Sequence, residues 1–492
     1  MAIPAKASIA PLPISDKPGS PAVRAEDGLA RLARIFGEEG SVLPLTRRGG
    51  RVSEVTTSHV RVAGVSGGIR LGGFVDLETP VGRCLGEVIG IQERSTLVKL
   101  FAGTSHLGLG ASVWRRPELT IAPDATWIGR VVNALGVPID GRGPLPQGQT
   151  MLPIDRDPLG PMVIDRVSTP CVTGVRAIDL FTPICKGQRI GVFAGSGVGK
   201  STLIAMLTRS SGFKTVVVAL VAERAREVRE FIEDVIAPTG SRAVTVVATS
   251  SESAMMRKLA AKTAMTIAEH FRDAGDDVLL IVDSVTRYAH ALREVALAAG
   301  EAPVARGYAP SVFAELPRLL ERAGPGTPTT GSITGVFSVL VDGDDHNEPI
   351  ADAVRGILDG HIVLDRQIAD QGRFPAIDPL ASVSRMASQV WSKDEAGLVR
   401  RLRGLIARFE ETRELRTLGA YKPGADPELD QAMTVTPLLY RLLSQLPDDP
   451  PSRSVFDELV GALSELRTPG IASEPNDRRP PRLAMAPASL SR

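Results

Sequence analysis

Gly195, Ser196, Gly197, Val198, Gly199, Lys200, Ser201 and Thr202 form one unbroken run, and its chemistry is phosphate binding. The three glycines let the backbone fold closely round a polyphosphate with its amide N–H groups pointing inward. Lys200 places a charge for the β- and γ-phosphates, and the Ser201 hydroxyl is a ligand for Mg²⁺. The apolar run Arg189–Phe193 before it reads as a buried strand, whereas Leu203, Ile204 and Leu207 after it have helical spacing. Phosphates would therefore sit at a helix N-terminus. Ala194 departs from the usual pattern, which begins with glycine. The plain alternative is a Gly-rich strand–helix turn; the Lys-Ser pair and both flanks favour a nucleoside triphosphate.

Three charged residues elsewhere would complete a hydrolytic site. Asp283 ends the apolar run Val278–Val282 some 80 residues after Lys200, where a triphosphatase keeps a carboxylate for the water shell of Mg²⁺. Glu223, in Val221-Ala-Glu-Arg-Ala-Arg-Glu227, follows the next strand and could orient or deprotonate water beside the γ-phosphate. A helix first turn, where the macrodipole favours Glu, explains it equally well, and Glu227 suits that second reading better. Arg385, in Leu380-Ala-Ser-Val-Ser-Arg385-Met386, would stabilise charge on a transferring phosphoryl group, across a subunit boundary, or would form an interdomain salt bridge.

The elements that must position these residues follow from length and pattern. With 492 residues the chain has room for about three domains. A net charge of +1 and an aromatic content of 4% give no field or stacking platform for nucleic acid. Cys84, Cys171 and Cys185 match no zinc or redox spacing, which suits a reducing cytoplasm. The N-terminus lacks the pattern of a signal peptide and no apolar run approaches a membrane span, so a soluble, cytoplasmic protein is expected.

Residues 1–27 read as a disordered arm, and 28–117 as a short amphipathic helix (Gly28–Phe36) followed by a small antiparallel β-barrel. The helix either packs on the next domain or docks a partner or a membrane surface. Over 118–381 strands alternate with helices: Thr215–Val221, Ala243–Ala248, Val278–Asp283, Ser332–Val341 and His361–Leu364 are the strand-like runs. Such alternation implies an α/β domain with a mostly parallel sheet, its ligand at the C-terminal strand ends. Residues 382–468 read as helical, through Leu398–Leu418 and Asp430–Leu446, and 469–492 as a disordered tail. Asp342, Asp344 and Asp345 form either a cation site or, as charge runs usually do, a solvated loop.

Several motifs together resemble one family. They are Thr173-Gly-Val-Arg-Ala-Ile-Asp179-Leu, the glycine loop, Glu223-Arg-Ala-Arg-Glu227, Asp283-Ser-Val-Thr-Arg287-Tyr288 and Gly307-Tyr-Ala-Pro-Ser-Val-Phe313. Glu321-Arg-Ala-Gly324, Gly343-Asp-Asp-His-Asn-Glu-Pro349, Asp359-Gly-His-Ile-Val-Leu, Phe374-Pro-Ala-Ile-Asp378 and Gly129–Asp140 belong with them. The set, spanning roughly residues 50–440, is similar to the rotary ATP synthase catalytic-subunit superfamily, and within it to the ATPases of type III protein export. Arg355–Arg366 and Gly372-Arg-Phe-Pro-Ala look more like the flagellar branch than the virulence injectisome branch.

The resemblance implies a RecA-like domain and Mg-dependent ATP hydrolysis by a homo-hexameric ring at the inner-membrane export apparatus. It implies that Lys200 contacts the β- and γ-phosphates, Ser201 the magnesium, and Asp283 the magnesium through water. Glu223 would polarise the attacking water and Arg385 would enter the neighbouring subunit's site. Phe374 would pack on adenine, with Tyr421 on the other face. Implied partners are a stator-like regulatory protein at the N-terminus, a central coiled-coil stalk at the Gly300–Gly324 pore segment, export chaperone–substrate complexes, and the membrane export gate. The position before Glu223 is usually glycine in this family and here is Ala222. A non-catalytic nucleotide-binding ring subunit is the other reading, and Glu223 argues against it. A nucleic-acid motor on the same fold is disfavoured by the neutral charge.

Overall fold

The computed structural model describes residues 49–237, 242–341 and 348–465. The N-terminal arm, the Gly28–Phe36 helix, the acidic residues at 342, 344 and 345, and the tail from 469 lie outside the described residues.

Short, glycine-punctuated runs form the expected barrel. Strands β1 (Gly49–Val55), β2 (Val60–Ala63), β3 (Phe74–Thr79), β4 (Gly82–Ile91), β5 (Ser95–Leu100) and β6 (Ser112–Arg116) close in the order β1-β2-β5-β4-β3-β6. Every pairing is antiparallel, and Val52, Val60, Val62, Val75, Leu77, Val98 and Val113 fill the inside. Closure leaves no free strand edge. The barrel is tied to the following domain by a largely buried ion pair, Lys258 Nζ to Glu87 Oε1 at 2.6 Å, and by the Ser253 hydroxyl donating to the Phe101 carbonyl at 2.8 Å.

Next comes a sheet built on β7 (Val131–Asn133), β8 (Arg189–Ala194), β9 (Thr215–Glu223), β10 (Ala243–Thr249), β11 (Asp277–Asp283), β12 (Ser332–Leu340), β13 (Gly360–Leu364) and β14 (Val383–Ser384). Their spatial order is β14-β13-β8-β12-β11-β9-β10-β7. All these neighbours are parallel except β13 and β14. The central strands are apolar and buried along nearly their whole length, as strands covered on both faces must be. Alternation then divides them: Val217, Ala219 and Val221 face a core under the helices Ala254–Asp273 and Val285–Ala298. Val216, Val218 and Leu220 face the opposite core, shared with Arg176–Phe181, Lys200–Thr208 and the C-terminal helices.

Three longer helices end the described chain: Lys393–Glu411, opened by a Ser392/Glu395 capping box, then Pro427–Leu443 and Val455–Glu465. Three details differ from the sequence expectation. Helix Lys393–Glu411 begins earlier than Leu398 and closes at Thr412 before the short Arg413–Thr417 helix, and Val455–Glu465 was not foreseen. Val383 and Ser384, placed with the helical region by sequence, are instead the antiparallel edge of the sheet.

Candidate active site

The glycine run leaves the carboxyl end of β8 and turns into the helix Lys200–Thr208. Gly197 and Gly199 take φ of +77° and +96°, a region that side chains resist, and an added Cβ at Gly197 would meet nothing within 4 Å. The space in front of Gly197 is therefore open. Gly199 caps the helix without a side-chain bond, leaving the first-turn amides for a ligand, and Ser201 is exposed there.

Parallel register brings the other expected residues to the same rim. Ala194 pairs with Leu340 across β8 and β12, Val282 with Phe337 across β11 and β12, and Leu220 with Asp283 across β9 and β11. Lys200 Nζ donates to Asp283 Oδ1 and lies 3.8 Å from Glu223 Oε1, with all three side chains almost wholly buried. The Ser338 hydroxyl holds the same Asp283 oxygen at 2.7 Å. Burial pushes the Glu223 carboxyl up to about 7, and the nearby Asp283 charge adds to this while Lys200 and Arg287 oppose it. A carboxylate in that range suits a general base near neutrality.

Glu223 ends a strand and does not open a helix, which begins at Ala225. Its placement depends on a local break in pairing, because the β9–β10 register shifts between Val221 and Glu223. At that break Ala222 takes φ of +58°, the left-handed conformation that favours glycine, and its carbonyl accepts from Arg287 Nη1 at 3.0 Å. Glu227 is exposed in the following helix and pairs with Arg224.

Phe374 lies beside the loop, since a Cβ added at Gly199 would stand 3.6 Å from its ring. Its carbonyl accepts from the Gln445 backbone at 2.7 Å, so the helical region anchors this side of the site. Tyr421 does not line the small cavity beside Phe374. Its hydroxyl bonds Asp430 at 2.9 Å, and its ring packs against the small cluster of Leu405, Leu429 and Ala432. The tyrosine that lines a small cavity together with Phe374 is Tyr440, under the Arg373 guanidinium.

Arg385 sits at the other end of the sheet. Ser384 pairs with Gly360, the first residue of β13, and the Arg385 amide donates to the Asp359 carbonyl at 2.9 Å. Asp359 in turn is level with Arg189, the first residue of β8. Six residues of β8, about 20 Å of extended chain, separate that level from the loop. That span is far longer than an arginine side chain. Arg385 is exposed and its guanidinium has no partner among the described residues, so the interdomain salt bridge is not formed.

Sequence reasoning did not single out Ser338 or Arg287. Ser338 is a buried polar residue near the carboxyl end of a strand that also holds Ser332 and Thr334, and Arg287 lies one helical turn after Asp283 in a motif already noted.

Two family models match the chain: the ATP synthase alpha/beta family, nucleotide-binding domain, over residues 174–384, and the T3SS EscN ATPase C-terminal domain over 391–465. The flagellum-specific ATP synthase of Agrobacterium fabrum is 53% identical over 435 residues, covering 88% of this chain and 92% of that protein. That of Rhizobium meliloti is 54% identical over 415 residues, covering 84% and 89%. Among solved structures, the assembled ATPase EscN of the enteropathogenic E. coli type III secretion system superposes with a TM-score of 0.79 at 38% identity, covering 85% of this chain and 100% of that one. The same ATPase in complex with its central stalk EscO gives 0.76 at 38% identity, with the same coverage. With its barrel, its nucleotide-binding sheet and its helical C-terminus all matched, the chain belongs to the family of flagellum-specific ATP synthases and type III secretion ATPases.

Proposed function

We propose that this chain hydrolyses MgATP to energise flagellar type III protein export, working as a homo-hexameric ring whose sites lie between subunits. The observation that carries the reading is the separation of Lys200, Glu223 and Asp283 from Arg385 by the length of the sheet. One copy holds a phosphate cradle and a base; the finger it offers can serve only another copy.

In this reading the loop amides from Gly195 to Thr202 and Lys200 hold the β- and γ-phosphates. The donors fit a hard cation: the Ser201 hydroxyl is exposed in the first turn after the loop, and Asp283, in contact with the neighbouring Lys200, is fixed by Ser338. Mg²⁺ would be held by Ser201 directly and by Asp283 through water, and supplies charge neutralisation of the phosphates. Arriving phosphates offer Lys200 a stronger anionic partner, which frees Glu223 to take the proton of the attacking water. Arg385 of the adjoining copy stabilises the charge spread over the transferring group. Phe374 packs on adenine.

The relatives' assemblies support the ring and the stalk: a central coiled-coil protein would engage the Gly300–Gly324 pore segment. Residues 1–36 would dock a stator-like regulator, and chaperone–substrate complexes would engage the helical region before delivery to the membrane export gate. Among the described residues no helix is long and apolar enough to cross a membrane; the assembly would work in the cytoplasm, against the inner-membrane apparatus.

Specific ATPase activity measured across a dilution series, alongside the oligomeric state, tests this. Activity per chain should fall as the ring dissociates, and Glu223→Gln should bind ATP yet turn over at least ~10²-fold more slowly. Constant activity per chain down to the monomer would exclude a shared site.

A further inference from the structure

The backbone that carries Arg385 is held more firmly than a two-residue edge strand can manage alone. Strand β14 makes only the pairs Gly360–Ser384 and His361–Val383. The extra restraint comes from Gln188, which is fully buried just before β8. Its Nε2 donates to the Ser384 hydroxyl at 3.1 Å and to the Asp359 carbonyl at 3.3 Å, while its Oε1 accepts from the Cys185 amide at 2.9 Å. The Asp359 carbonyl is thereby shared by two donors, Gln188 Nε2 and the Arg385 amide. The Asp359 carboxylate is gripped from the other side by the Arg189 fork, Nε and Nη2 each at 3.1 Å, and by the Arg189 amide at 3.0 Å. On the approach to the strand, Arg403 Nη2 donates to the Ser382 carbonyl at 3.1 Å. A buried primary amide is costly unless its donors and acceptor are all met; here the nitrogen meets two atoms of this junction and the oxygen is met by the Cys185 amide in the turn before β8.

We infer that Gln188 is a positioning residue for hydrolysis, acting through Asp359 and Ser384 on the backbone from which Arg385 projects into the site of a second copy of this chain. The inference rests on the role proposed above for Arg385. The side chain that all this order supports has no partner in its own chain among the described residues, so the restraint pays off only when another subunit's phosphates lie in front of it. A displacement of about 1 Å at such a group can cost ~10²-fold in rate. The neighbouring reading, that Gln188 merely steadies β8 and the glycine loop at its far end, predicts a defect in the site of the same copy.

Subunit complementation separates the two. Full-length Gln188→Ala and the near-isosteric Gln188→Glu are each co-expressed, under two affinity tags, with Glu223→Gln chains and separately with Arg385→Ala chains. Alone, each Gln188 variant should form rings and bind a fluorescent ATP analogue within about twofold of wild type, with kcat lowered by about 10- to 100-fold. Mixed with Glu223→Gln, turnover should recover, because about a quarter of the interfaces in a random one-to-one ring join an intact base to an intact finger. Mixed with Arg385→Ala, it should not recover. The reverse pattern, recovery only with Arg385→Ala, would overturn the inference and assign Gln188 to the glycine loop. If Glu223→Gln and Arg385→Ala fail to complement each other, the shared site itself is wrong; if they succeed and neither Gln188 variant rejoins Glu223→Gln, only the role of Gln188 falls.

Discussion

The two ends of the central sheet are built on opposite principles. At the carboxyl end Lys200 lies between Asp283 and Glu223, almost wholly buried, its charge answered within the chain. At the amino end Arg385 is exposed with no side-chain partner among the described residues, while its backbone is bonded to Asp359. A buried lysine between two carboxylates is a site at rest, for a triphosphate has only to outcompete them. An unpaired arginine on a fixed backbone is a site unfinished, since desolvating it is favourable only against an anion brought by another molecule. The contrast teaches that the fold keeps Lys200, Glu223 and Asp283 apart from Arg385 by the length of the sheet, and in the reading proposed above contact between subunits reunites them.

The sharpest way to break that comparison is to remove the arginine proposed as the finger. Arg385→Ala should reduce kcat by ~10³-fold or more, with Arg385→Lys recovering little because an ammonium lacks the planar fork. Thermal unfolding of the isolated chain should hardly move, since the exposed side chain makes no hydrogen bond or ion pair among the described residues. Steady-state kinetics and a melting curve on the same preparation check both halves. A large loss of stability would mean that the two ends of the sheet are less different than they look.

The carboxyl end can be probed by pH. Because burial raises the Glu223 carboxyl to about 7 from an ordinary 4.5, its ionised form is scarce in mildly acid solution. The value kcat/KM should fall about tenfold per unit below pH 7, and Glu223→Gln should lose that limb of the profile. Stability runs the other way. A carboxyl whose folded pKa is raised adds no penalty below pH 4.5 and its full penalty above about 7, so stability declines as pH rises through that window. Glu223→Gln should therefore raise the melting temperature more at pH 8 than at pH 5. An equal shift at both would mean the carboxyl is not buried at a cost, and the resting character of this end would be in doubt.

Much of the carboxyl end was legible in sequence because its groups are local. Gly195–Thr202 carries its geometry in eight consecutive residues, and Glu223 and Asp283 each stand at the end of an apolar run long enough to read as a strand. The amino end was not. Val383 and Ser384 are too few to show any period, and only their pairing with β13 reveals that Arg385 starts level with Arg189, opposite the loop. Gln188, Asp359 and Ser384 are ordinary polar residues whose connection spans up to 196 positions and exists only once β8, β13 and β14 lie side by side. Tyr440 illustrates the same limit, because only packing shows that it lines the cavity beside Phe374.

Ala222 offers the smallest effect and the finest test of how the carboxyl end is set. Its φ of +58° lies where a side chain clashes with the backbone, at about 1–2 kcal/mol for an L-residue. Glycine relieves that clash but loses more backbone freedom on folding, so Ala222→Gly should stabilise the chain by about 0.5–1 kcal/mol, measurable by urea unfolding. The break in β9–β10 pairing and the Arg287 bond to the residue 222 carbonyl do not depend on the methyl group. If they alone aim Glu223, kcat should stay within about twofold of the parent. Stability gained together with a clear rise in turnover would show that the alanine displaces the base, so that this end of the sheet is held under strain and is not simply at rest.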